Sequence, residues 1–173
     1  MDGISVNILV LFINGVPQGL LSVLALQTFT RTKMDPKKYL LLSLICIVTT
    51  YLIRFLPIAL GVNTVLTLLI LIISFQIVYK TELSKVMRIV ASAAVAFIFV
   101  AISEVLNMLL LTAIFGQARA EELFASTDGL TRSLYTTPSN IFFALFIIIG
   151  YVILKKIDKR KNKDGETGSK TGE

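Results

Sequence analysis

Two ionisable side chains, Arg54 and Glu104, stand inside long apolar runs. A charge held at hydrocarbon depth costs about 3 kcal/mol or more unless it is paired or watered, so such residues mark ion pairs, ligand sites or relays by default. Asn107 follows Glu104 by three residues and shares its helix face. Enzyme chemistry has little else to draw on. The chain contains no His, and its single cysteine, Cys46, lies within an apolar run. That excludes HExxH zinc sites and Ser-His or Cys-His nucleophiles. Glu104 is the one acid at depth, so a two-carboxylate protease is excluded as well. No metal, no cofactor and no catalytic activity are expected.

The elements that position these residues follow from composition. Of 173 residues, 55% are hydrophobic and only 16% charged, where a soluble domain carries about a quarter charged residues. A helical span needs about 20 mostly apolar residues. Five runs approach or exceed this: Ile4 to Leu26, Tyr39 to Leu60, Val62 to Tyr79, Val86 to Phe115, and Asn140 to Leu154. The expected fold is an all-α integral membrane protein of about five transmembrane helices over residues 1–157. Residues 158–173 are expected to form a basic, then polar, disordered tail. Met1-Asp2-Gly3 lacks the basic start of a signal peptide, so none is expected.

The charges between the runs set an orientation. Arg31, Lys33, Lys37 and Lys38 follow the first run, and Lys80, Lys85 and Arg88 follow the third. The turn at Gly61 is uncharged, and between the fourth and fifth runs Arg119 and Arg132 are outnumbered by Glu121, Glu122 and Asp128. Basic and non-basic segments alternate, which predicts the N-terminus outside and the C-terminus in the cytoplasm of a bacterial cell. Lys155, Lys156, Lys159, Arg160, Lys161 and Lys163 are then expected against anionic headgroups.

In that arrangement Arg54 and Glu104 each lie about 22–24 Å along their helices from the inner face. Matched depth and opposite sign predict a pair, either a clasp fixing helix register or a ligand-facing site. Arg54 snorkelling to the outer interface is the alternative. In the first run, Gly15, Pro17 and Gly19 weaken the helix, while Asn14 and Gln18 share a face. Irregular backbone at depth is either a simple proline kink or the lining of a watered cavity. Asn14, Pro17, Gln18 and Asn63 are therefore candidate cavity residues. Between the last two runs, Ala118 to Ala125 has helix-forming composition and Ser126-Thr127-Asp128-Gly129 reads as a turn. This segment is expected as a loop resting on the membrane, or as a lid over an outward cavity.

The stretch Tyr51-Leu52-Ile53-Arg54-Phe55-Leu56-Pro57-Ile58-Ala59-Leu60-Gly61-Val62-Asn63-Thr64 resembles the multispan sensor regions of Gram-positive histidine kinases of the accessory-gene-regulator type. Those regions have an arginine-x-x-proline ending one span, a glycine turn opening the next, and an acidic residue in a later span, which Glu104 matches. The resemblance covers roughly Leu40 to Phe115. It implies a membrane module that detects a signal, with a peptide as one candidate, and passes it to a cytoplasmic or membrane protein partner. The kinases continue into a dimerisation helix and an ATP-binding domain, whereas this sequence runs into a polar tail, so the likeness is to the sensor without the kinase half. Two other classes suit the same features: a small substrate-binding subunit of a membrane transporter, and a cell-envelope assembly factor. Nucleic acid is not an expected partner, because the basic residues flank apolar runs.

Overall fold

The computed structural model describes residues 9–53, 60–126 and 128–169, with side chains placed for all of these except 60–65, 83 and 161–169. Among the described residues every regular element is helical. A π-helical turn (Leu11–Gly15) leads into α1 (Val16–Thr30), followed by α2 (Pro36–Ile53) and α3 (Leu60–Tyr79). A 3-10 turn (Leu83–Lys85) precedes α4 (Val86–Phe115). Then come two short helices, α5 (Gln117–Phe124) and α6 (Gly129–Thr136), and the long α7 (Pro138–Ser169).

Four stretches are long and apolar enough to cross a membrane: Leu11–Thr30, Pro36–Ile53, Val86–Phe115 and Gly129–Arg160. The third expected run appears as α3, whose apolar stretch among the described residues is the shorter Leu66–Tyr79. The run from Val86 to Phe115 is one unbroken helix of 30 residues. At its far end α7 stays helical to Ser169, into the segment where composition predicts a disordered tail. The physical reason is cooperativity: extending an established helix through Lys- and Arg-rich sequence costs far less than nucleating one.

Local chemistry explains where α1 and α3 begin and end. Pro17 sits in the first turn of α1, where its missing N–H is not needed. Just before it the backbone widens, and the Val16 N–H reaches the Leu11 carbonyl five residues back. The weakness legible in Asn14 to Gly19 thus takes the form of a π turn. Arg31 ends α1 with φ 54° and Lys80 ends α3 with φ 48°. In both, the next residue's N–H bonds back across the last turn, Thr32 to the Gln27 carbonyl at 3.1 Å and Thr81 to that of Gln76 at 3.2 Å. A basic residue in this left-handed cap is strained but places its charge at the negative end of the helix.

The bundle is organised around α1. One face meets α2, α3 and α4 through Val23, Leu26, Leu42, Cys46, Leu71, Phe75, Ile89 and Ala93. The other meets α4 and α7 through Ala25, Ala96, Phe143 and Ile147. Two glycines set these distances. A Cβ on Gly19 would lie 2.5 Å from Ile47 Cγ1 of α2, and one on Gly150 would lie 2.7 Å from the Phe29 ring of α1. Outward, α2 exposes Leu40, Leu44, Val48 and Leu52, while α7 exposes Ile141, Leu145, Ile148 and Val152. Apolar faces of this extent suit hydrocarbon better than water.

The two ends of the bundle differ in chemistry. At one end Arg31 pairs with Asp158 at 2.5 Å, Gln27 donates to the Tyr79 hydroxyl at 2.7 Å, and Lys38 lies 5.1 Å from the Tyr79 ring centre. These contacts bring the basic segments after α1, at the start of α2, after α3 and along α7 to the same end. The opposite end carries the π turn and the α5–α6 hairpin.

Candidate ligand cavity and the hairpin above it

A partly open cavity of about 280 Å³ lies between α1, α2, α3, α4 and α7. It exists because small side chains face one another across the helices. Gly15 lines it from the π turn, Gly19 and Ser22 from α1, Cys46 and Thr50 from α2, and Ala93 and Ala96 from α4. Spacings of three and four put each set on a single helix face. Leu26 and Leu71 close it toward the basic end, and Ile53 and Glu104 stand toward the hairpin end. From Ala93 to Glu104 the wall runs about 16 Å along α4 at the helical rise.

Its polar groups are few. The Thr50 hydroxyl donates to the Cys46 carbonyl at 2.7 Å and the Ser22 hydroxyl to the Gln18 carbonyl at 2.7 Å, so both are engaged by their own helices. Thr67 adds a hydroxyl from α3. The Gln18 amide and the Glu104 carboxylate are the groups best placed to orient a ligand. The described cation whose charge acts on Glu104 is Arg132, on α6.

The other candidate residues hold the hairpin. Asn14, in the π turn, faces away from the cavity. Its amide donates to the Ser133 carbonyl at 3.1 Å and the Thr136 hydroxyl at 2.6 Å, and its carbonyl accepts from Thr137 at 3.4 Å and from Asn140 at 3.1 Å. Asn107 is fully buried and donates to the Tyr135 carbonyl at 2.9 Å. It lies one turn beyond Glu104 on α4 but faces α6. Phe115 meets the Tyr135 ring edge-on at 5.8 Å. Asp128 caps α6, accepting from the backbone N–H of Thr131 at 3.0 Å and from the Thr131 hydroxyl. That hydroxyl, with the N–H groups of Thr131 and Leu130, holds the Asp128 carboxyl below the usual carboxylate range.

Of the residues singled out in the sequence, the cavity wall contains Gln18 and Glu104. Pro17 serves the helix start instead. Arg54 lies outside the described residues, as does the side chain of Asn63. Lys155, Lys156, Lys159 and Arg160 lie on α7 past its most apolar part, with Lys155 5.8 Å from the Tyr151 ring centre; the side chains of Lys161 and Lys163 fall outside the described set. Sequence reasoning flagged Gly15 and Gly19 as a weak stretch of helix but missed Ser22, Ala93 and Ala96 of the wall and the partners of Asn14. The three- and four-residue spacing of Gly15, Gly19 and Ser22 was the available signal for the former.

Among the described residues, fold and cavity together define a class: a helical bundle with four helices long and apolar enough to cross a membrane and a small, partly open cavity whose wall includes the Glu104 carboxylate. Comparison with known families, curated proteins and solved structures gives no match to the chain.

Proposed function

We propose that this chain is a sensor or regulatory module of a bacterial cell membrane, which binds a small ligand in the cavity beside Glu104 and relays its presence to a partner at the basic end. In this reading α3 is a fifth span. The hairpin end faces outward, and the basic end faces the cytoplasm and its anionic headgroups. The observation that carries it is the cavity. It is bounded by five helices, so a ligand there would touch most of the bundle at once. It also lies directly below a hairpin tied to both α4 and the π turn. Occupancy can therefore bias the packing of α1 against α2 and α4, and α1 ends at the basic surface through Arg31.

The test is affinity purification from the native membrane with mass spectrometry, paired with deletion of the gene. A regulatory module retains a kinase or another signalling protein, and its loss changes transcription. The same cavity also favours a second reading, a substrate-binding subunit of a transporter. That protein would retain an energising ATPase, and its loss would abolish uptake of one compound; this result overturns the sensor reading.

A further inference from the structure

Resting on the cavity reading above, we infer that the ligand is the hydrocarbon chain of a membrane lipid, entering sideways between α3 and α4 rather than from the water. The cavity has a mouth on that side. Toward the basic end α3 and α4 close on each other, with Leu71, Phe75, Ile89 and Ala93 buried in one cluster. One turn further along α4, Phe97 lines the cavity and is also 40% exposed. Glu104, beyond it on the same wall, is exposed as well. Phe99 fixes the direction of this opening. Its ring packs on Phe29 of α1 and Phe146 of α7. Phe97, two residues away and about 200° round the helix, faces the opposite side, where α3 supplies Thr67 and Leu68 to the wall.

The medium outside the mouth identifies the occupant. Phe97 and Glu104 occupy the middle of the 30-residue helix α4, a level that is hydrocarbon when such a helix crosses a bilayer. Leu69 and Ile98, next in sequence to wall residues, are apolar side chains 50% and 53% exposed, so the rim offers a chain no polar barrier. Inside, Leu26, Leu71, Ala93, Ala96 and Phe143 make an apolar wall, and the Ser22 and Thr50 hydroxyls are engaged by their own helices. Arg132 already acts on Glu104, so the wall requires no charged occupant. The volume, about 280 Å³, falls just below the roughly 300–1,000 Å³ of pockets that hold drug-sized ligands. One chain fits such a space, and a whole lipid with its headgroup does not. The headgroup therefore stays outside, and a module with this ligand responds to the chains of the bilayer around it.

The test uses the whole chain in phosphatidylcholine nanodiscs that include a photoactivatable phosphatidylcholine with a diazirine midway along one chain. After irradiation the crosslinked residues are mapped by mass spectrometry. Label should appear at Cys46, Thr50 and Ala93 on the wall, as well as at Leu44 and Ile148 on the outer faces. Val23 and Phe75, buried in the core but away from the wall, should take none. Ala96→Leu and Thr50→Phe fill the void from different helices. Each should reduce the label at Cys46 and Ala93 to the level of Val23 and Phe75 while sparing Leu44 and Ile148. A short water-soluble diazirine alcohol, used in parallel, reports the cavity independently of lipid. If the wall takes label from the alcohol but not from the lipid, the chain inference is overturned while the cavity reading stands. Lipid label at Cys46 and Ala93 that survives both filling variants also overturns it, because that label does not come from a chain in the void. If neither probe labels the wall above Val23 and Phe75, both readings fall.

Discussion

Asn107 and Asn14 show how two amides do different work from the one their depth suggests. Each donates to the hairpin, Asn107 to the Tyr135 carbonyl and Asn14 to Ser133 and Thr136, while the Asn14 carbonyl also accepts from Asn140 of α7. Asn107→Leu removes a buried donor and strands the Tyr135 carbonyl, so it should lower unfolding free energy in detergent by about 1–3 kcal/mol. Because Asn14 holds the same hairpin, Asn14→Leu combined with Asn107→Leu should be non-additive in thermal unfolding, and strict additivity would mean that the two tethers act independently. The proposed pairing of Arg54 with Glu104 is testable in the same way. Arg54→Leu and Glu104→Leu should each destabilise the bundle, and the double variant should recover part of the loss, since an unpartnered buried charge keeps its desolvation cost. Simple additivity would separate the two side chains and leave Arg54 as an interfacial residue.

The α5–α6 hairpin is the element whose stability answers to pH. Asp128 is the N-cap of α6, and its folded carboxyl titrates below the ordinary range because Thr131 and Leu130 donate to the ionised form. A lowered folded value means that the contribution is fully present above the unfolded carboxylate pKa and is lost as pH falls through the lowered one. Hydrogen exchange at the Leu130 and Thr131 amides should therefore accelerate, beyond its intrinsic pH trend, on acidification through that window. Asp128→Asn, which still caps but does not titrate, should flatten the response. An unchanged profile in Asp128→Asn would show that another group governs the hairpin.

For the whole molecule, the decisive property is which end faces out. The contacts of Arg31 with Asp158 and of Lys38 with Tyr79 gather the basic segments at one end, opposite the hairpin. With five spans and the basic end inside, Ser126→Cys should react with a membrane-impermeant maleimide in intact cells, and Ser169→Cys only after permeabilisation. Cys46→Ala supplies a background without the native thiol, which is buried. The reverse labelling pattern would invert the topology and with it the sidedness of the proposed sensor.

What the sequence determined by itself is what depends on runs and periodicity. The helical class, the unbroken helix from Val86 to Phe115 and the irregular start of α1 at Asn14 to Gly19 all follow from local composition, because helix hydrogen bonds close within a few residues and lipid-length runs are additive along the chain. The place of Glu104 well inside the long helix Val86–Phe115 was legible for the same reason. Its surroundings were not. Whether Gln18 or Asn14 would face the cavity depends on a rotation that the π turn imposes, and the void itself depends on Gly19, Cys46, Thr50, Ala93 and Ala96 meeting from three helices, with Gly15 of the π turn beside them. No local rule encodes such a meeting. Tertiary packing decided it, because a cavity is a property of facing surfaces, and small residues scattered over three helices become a wall only when the helices are brought together.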